Sequence, residues 1–220
     1  AADGVRPRPG WVRPAWPRTA GHRPPSPPAR YDFQVGVPDV RLFPYDTWRR
    51  LVAAAWRAGR EPGDHADPAG HPDLRAAIAR YVAYARSVRA AASDVVVTSG
   101  AQQAFDLVAR VLVGPGDVVA VEEPGYPPAR DAFVAHGARV VGVPVDAGGL
   151  EVSRLPPRAR LVYVTPSHQF PLGTAMSLPR RLELLAWADA NDAAIVEDDY
   201  DAEYRFADRP LEPLHGLGSG

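Results

Sequence analysis

The sequence predicts an α/β protein: a mostly parallel sheet with helices on both faces. Three observations predict it. After Asp94, short apolar runs alternate with segments of helical periodicity. The runs are apolar throughout, as strands buried on both faces require. Gly- and Pro-bearing stretches such as Gly114-Pro115-Gly116 punctuate them.

The elements follow in order. Residues 1–30 hold eight prolines among scattered Arg and show no apolar period, so they read as an extended Pro/Arg-rich linker. Residues 31–220 read as the globular part. Asp46 is placed to cap a helix carrying Trp48, Leu51, Val52, Ala55 and Trp56, with Gly59 as its stop. A second helix carries Leu74, Ile78, Tyr81 and Val82. Val95–Val97 is a β-branched run and a first strand, followed by a helix with Phe105, Val108, Val111 and Leu112. Val118–Val121, Arg139–Val145, Leu161–Val164 and Ala194–Val196 are four more strands. Helices are expected over Pro127–His136 and Leu178–Ala190, the latter with Leu182, Leu185 and Ala186 on one face.

Composition bounds the function. The formal net charge is -1, so no global field draws the chain to nucleic acid or a membrane surface. With no cysteine, disulfide and thiolate chemistry are excluded. No apolar run reaches the ~18 residues of a membrane span, and the N-terminus lacks the apolar core of a secretory signal, so a cytoplasmic protein is expected. All 25 basic residues are Arg. Arginine can replace lysine on a surface, but not where an amine must attack a carbonyl, because guanidinium stays protonated.

In parallel α/β sheets ligands gather at the carboxyl ends of strands, so the residues there are the candidates. Thr98-Ser99-Gly100-Ala101-Gln102-Gln103 opens a helix with small residues and suits a phosphate, or is an ordinary turn capped by Ser99. Dinucleotide and Walker A fingerprints are both missing. Tyr126, on the turn Glu122-Glu123-Pro124-Gly125-Tyr126, could stack on a flat ring or simply pack. His168, in the Pro-bounded stretch Thr165–Gly173, could carry a proton, touch a ring or hold a turn. Glu197-Asp198-Asp199-Tyr200-Asp201-Ala202-Glu203, five acids in seven residues, could be a solvated loop, a magnesium site, or a carboxylate facing a cationic ring nitrogen.

Taken in order, these segments resemble fold-type I pyridoxal-phosphate enzymes, and among them the aminotransferase-like domain of MocR-type regulators of the GntR family. The matching stretches are Gly36-Val37-Pro38-Asp39, Leu42-Phe43-Pro44, Asp67-Pro68-Ala69-Gly70, Ser99–Gln103, Glu123–Tyr126, Thr165–Pro171 and Glu197–Asp201. Ser167-His168-Gln169-Phe170-Pro171 and Glu197-Asp198-Asp199-Tyr200-Asp201 are the most typical of that group. The resemblance implies the large domain of the fold, incomplete at its C-terminus, with pyridoxal 5'-phosphate as cofactor. It implies that Gly100, Ala101 and Gln102 bind the phosphate, that Tyr126 stacks on the ring, that Asp198 pairs with the ring nitrogen, and that Tyr200 hydrogen-bonds the phenolic oxygen. His168 is counted with these cofactor residues, and Gly36 is expected near the substrate carboxylate. No metal site is expected.

Departures sharpen the resemblance. Phe170 stands where ordinary aminotransferases have Asn, and Leu172 where they have Thr; Phe170 is usual for the regulators. His65 stands where family members often carry a Tyr that reaches a neighbouring subunit. The cofactor lysine is expected beyond Gly220 and the DNA-binding winged helix before residue 1, so the chain reads as an inner piece of a longer protein. The expected function is an effector-sensing domain responding to an amine or amino acid, a homodimer when intact, and without catalysis in this chain. A fragment of a metabolic aminotransferase is the alternative.

Overall fold

The computed structural model describes residues 31, 39–58, 65–201 and 212–218. The expected linker over residues 1–30, Gly36 and Gly59 lie outside the described residues. The chain divides into two compact units, one spanning Ala20–Pro68 and one containing Ala69–Gly220. In the smaller unit, helix α1 spans Tyr45–Arg57. Asp46 does not cap it. Pro44 takes the cap position, and Asp46 sits in the first turn, where its charge meets the helix dipole, and pairs with Arg49.

The larger unit holds helix α2 (Pro72–Arg86), helix α3 (Ala101–Leu112), strand β1 (Val118–Glu123) and helix α4 (Pro127–Ala135). Strands β2 (Arg139–Asp146), β3 (Gly149–Leu150) and β4 (Ala159–Val164), helix α5 (Leu178–Asn191), strand β5 (Ala194–Glu197) and helix α6 (Leu214–Leu217) follow. The sheet order is β3-β2-β1-β4-β5. β2, β1, β4 and β5 run parallel, and β3 turns back antiparallel on β2.

Alternation along the strands makes the layers. Val118 and Ala120 of β1 join Val162 and Val164 of β4 in one core cluster, with Leu184 and Ile195. Val119 and Val121 point the other way, with Leu161 and Tyr163, into a cluster closed by Phe105 and Ala109 of α3 and by Ala129 and Phe133 of α4. The predicted α/β class, with helices on both faces of a mostly parallel sheet, is what forms.

Three expectations change. Val95–Val97 is extended but not a strand: the Val97 N–H donates to the Ala69 carbonyl at 2.8 Å, and no strand pairs with it among the described residues. β3 replaces it in the count, a two-residue strand too short to carry a periodic signal. On α5 the buried face is Arg181, Leu184 and Ala188, whereas Leu182 is exposed. A sequence pattern assigns Arg to the polar face, yet Arg181 is buried because its guanidinium reaches the carbonyls of Met176, Pro166 and Glu212 at 2.7–3.1 Å.

Candidate functional site

The candidate residues converge at the carboxyl ends of β1, β4 and β5. Glu122 continues the register of Val118 and Ala120, so its side chain enters the sheet end rather than solvent and is 2% exposed. Its Oε2 accepts from the Thr165 hydroxyl at 2.6 Å, the Thr165 N–H at 3.2 Å and the Gln169 amide at 3.2 Å. The same Gln169 amide lies 2.8 Å from the Pro124 carbonyl, and the Gln169 side-chain oxygen accepts from Leu172 N–H. The Thr165 hydroxyl in turn accepts from the Phe170 N–H at 3.0 Å. One network thus interlocks the turn after β1 with the loop after β4. Burial pushes the Glu122 carboxyl above its ordinary range, opposed by these hydrogen bonds. Gly125 closes the β1 turn because a Cβ there would collide with the Glu122 carbonyl oxygen.

Asp198 follows β5 directly, and its N–H extends the ladder to the Val164 carbonyl at 2.9 Å. Its carboxylate accepts from the Tyr163 hydroxyl at 2.7 Å. Burial raises the Asp198 carboxyl, the Tyr163 bond lowers it, and the neighbouring charge of Asp199 raises it again. Burial pushes Tyr200 up to about 12. A half-buried carboxylate with one strong donor retains lone pairs for a second partner, and a cation would favour its charged form.

Aromatic rings gather beside this carboxylate. Tyr163 meets Phe105 edge-on at 5.5 Å, and Phe105 meets Tyr126 at 6.4 Å. Tyr126 contacts Phe170 at 5.4 Å, and Phe170 contacts Tyr200 at 6.4 Å. His168 stacks on Tyr200 with centroids 5.6 Å apart and planes 17° from parallel. Tyr126, His168, Asp198 and Tyr200 are therefore brought together.

Gly100 caps α3 with φ 96 and ψ 172, and no side chain bonds into the first turn from that position. Ser99, expected as a cap, instead donates its N–H to the Gln103 side chain at 2.5 Å. The first-turn N–H groups of a helix have no partner within it, and Ala101 and Gln102 are exposed there. Phe105, one turn on, ties this helix end to the ring cluster through Tyr126 and Tyr163.

The sequence reading missed Glu122, Tyr163, Thr165, Gln169 and Arg86. Glu122 carried a faint signal, an acid continuing an apolar run that reads as buried on both faces. Arg86 carried none, because its partners Asp199 and Ser167 lie 113 and 81 residues away. Among the described residues, no group of His, Cys, Asp or Glu is arranged to hold a metal ion; Glu203 of the acidic stretch lies outside them. Also among them, no helix is long and apolar enough to cross a membrane.

Comparison with known proteins identifies the family and the fold. The family model for aminotransferases of class I and II matches residues 42–206. The probable rhizopine catabolism regulatory protein MocR of Rhizobium meliloti is 44% identical over 193 residues, covering 86% of this chain and 39% of that protein. The HTH-type pyridoxine biosynthesis transcriptional regulator PdxR of Corynebacterium glutamicum is 38% identical over 192 residues, 87% of this chain and 41% of its own. The kynurenine aminotransferase of Pyrococcus horikoshii superposes with a TM-score of 0.75 at 30% identity, covering 84% of this chain and 48% of that one. The α-aminoadipate aminotransferase LysN of Thermus thermophilus, complexed with N-(5'-phosphopyridoxyl)-L-leucine, gives 0.69 at 33% identity, covering 83% of this chain and 47% of that one. The chain spans less than half the length of each of these four relatives. It belongs to the class I and II aminotransferase family, and within that family it is similar to the MocR-type transcription regulators over most of its length.

Proposed function

We propose that this chain is the pyridoxal-phosphate-binding, effector-sensing part of a MocR-type transcription regulator, with residues 31–220 forming part of its aminotransferase-like domain. The observation that carries the reading is Asp198, a half-buried carboxylate held by Tyr163 beside a cluster of aromatic rings. Its donor set fits the cofactor: an acid for a protonated ring nitrogen, rings for a flat heterocycle, and an uncapped helix start for a phosphate.

Asp198 would hold the proton on the ring nitrogen. Tyr126 would cover the ring, and Tyr200 would donate to its phenolic oxygen. Gly100, Ala101 and Gln102 would offer backbone N–H groups to the phosphate. His168 orients Tyr200 by stacking on it. When bound, the cofactor supplies an aldehyde that reacts with amines and a ring that withdraws electrons. Gly36 is assigned to the amino-acid carboxylate by family resemblance. In the intact protein, an amine or amino acid shifts a conformational equilibrium that a DNA-binding part reports.

The test uses the full-length protein. Its cofactor absorbance is titrated with pyridoxal phosphate and then with a panel of amino acids and amines, while fluorescence anisotropy follows binding to its own upstream DNA. A cofactor-dependent change of DNA affinity on adding one of these amines is expected. Failure to bind pyridoxal phosphate, or DNA affinity indifferent to every amine, sinks the reading. The second reading, a metabolic enzyme, has the 33% identity to the 2-aminoadipate transaminase of Thermus thermophilus in its favour. It predicts steady turnover of an amino donor with an oxo acid by the full-length protein. The 220-residue chain, lacking any lysine, is expected to show none.

A further inference from the structure

Two stretches most typical of MocR regulators, Ser167–Pro171 and Glu197–Asp201, meet at one side chain that neither contains. Arg86 ends α2 and is 8% exposed. Its Nε donates to Asp199 Oδ2 at 2.7 Å, and its terminal nitrogen approaches the same oxygen at 2.6 Å. That terminal nitrogen also donates to the Ser167 hydroxyl at 3.2 Å. Ser167 immediately precedes His168, and Asp199 lies between Asp198 and Tyr200. The residues next to both anchors are thus those that stack on one another at 5.6 Å.

We propose that Arg86 is a positioning residue of the cofactor site: by bridging Asp199 and Ser167 it fixes the spacing of the loops that carry Asp198, Tyr200 and His168 and ties that spacing to α2. The inference rests on the pyridoxal-phosphate reading above. Its physical basis is the fork geometry of guanidinium, which orients two acceptors at once where an ammonium would act as a point charge. A buried arginine without its carboxylate, or the reverse, is an uncompensated charge, so the bridge has high stakes. It also matches charge locally. Asp199 is the neighbouring acid whose charge disfavours an ionised Asp198, and Arg86 offsets it. Three other groups face Asp198: Tyr163 from β4, Glu122 from β1 and the Tyr200 backbone. Arg86 thereby favours an ionised Asp198 opposite the ring nitrogen.

The experiment uses the full-length protein, pyridoxal phosphate as the probe, and temperatures at which circular dichroism shows each variant folded. Two readouts are taken: the dissociation constant for pyridoxal phosphate and the pH midpoint of the bound cofactor's absorbance. Arg86→Met is expected to weaken binding roughly tenfold and to move the midpoint, because Asp199 is left unpaired beside Asp198. Arg86→Lys keeps the charge and is expected to recover most of the pH midpoint but only part of the affinity. Ser167→Ala, which removes the hydroxyl that accepts from Arg86, is the milder probe should Arg86→Met fail to fold; it is expected to weaken binding about threefold. A folded Arg86→Met protein with wild-type affinity and midpoint overturns the proposal, as does wild-type behaviour of Ser167→Ala should Arg86→Met not fold. A wild-type protein that does not bind pyridoxal phosphate overturns the reading beneath it instead.

Discussion

The two halves of the site are built by opposite means. At the ends of β1 and β4 the polar groups are buried and bond to one another: Glu122 Oε2, Thr165 and Gln169 share hydrogen bonds of 2.6–3.2 Å, while Glu122 Oε1 has no hydrogen-bond partner among the described residues. At the start of α3, Gly100, Ala101 and Gln102 are exposed, and the end of the helix is prepared by backbone conformation with the Gln103 side chain accepting from the Ser99 N–H. On the proposed pyridoxal-phosphate reading, the difference follows from what each half would do. Holding a flat ring and a single proton needs side chains fixed in angle, and buried networks provide that at the cost of high stakes when one member is lost. Holding a doubly charged phosphate needs only N–H groups aimed outward along the helix dipole. Damage to the first half is therefore expected in stability and binding together, and damage to the second chiefly in binding.

The largest effect tests the first half of that contrast. Glu122→Ala removes the shared acceptor of three donors at a buried strand end. Urea unfolding of the intact protein is expected to show a loss of about 3 kcal/mol. A loss under about 1 kcal/mol would mean that the network is not what holds the two loops.

Gly100→Ala tests the second half. At φ 96 and ψ 172 a Cβ meets no atom within 4 Å, so the cost is pure backbone strain. That region is nearly restricted to glycine, and keeping the conformation would cost about 1–3 kcal/mol. The helix start can relax to avoid it, and relaxation turns the N–H groups away. The expected signature is a pyridoxal-phosphate affinity reduced roughly tenfold or more with an almost unchanged unfolding midpoint. An equal loss in both would erase the distinction between the halves. Asp198→Asn comes next: with the Tyr163 bond kept and the charge gone, affinity is expected to fall about tenfold, since a charge-assisted bond becomes a neutral one. Unchanged affinity would remove Asp198 from the site.

The sequence made the exposed half and the strand ends legible, but not the buried half. Residues that act locally announce themselves: Gly100 and Ala101 open a helix after an extended run, and Asp198 follows an apolar strand directly. The α/β layering was equally plain, because Val118–Val121 and Leu161–Val164 are too apolar for a surface strand. What could not be read are partnerships made across the fold. Glu122 finds Thr165 and Gln169 over 43 and 47 residues, and Arg86 and Arg181 look like solvent-facing cations until their acceptors are known. Leu182 misleads for the same reason. Leu182 is turned outward because Leu184 and Ala188 fit the sheet and Arg181 finds carbonyls, while Leu185 of the same expected face packs partly against the core.

The smallest effect separates the burial of Glu122 from its hydrogen bonds. Burial raises its carboxyl above the ordinary Glu value of 4.5, so the folded protein keeps a proton there that the unfolded chain releases. As pH rises from that ordinary value toward the raised folded one, the unfolded state loses its proton first and becomes relatively favoured. The stability held at acid pH therefore falls across that window and levels off above it. Glu122→Gln keeps an acceptor oxygen for Thr165 but cannot ionise. Its unfolding free energy is expected to decline less than that of the wild type as pH rises above the ordinary Glu value of 4.5. Parallel curves for the two proteins would mean that Glu122 is charged in both states, and that its network is an ordinary charge-assisted one with no special dependence on the enclosed strand end.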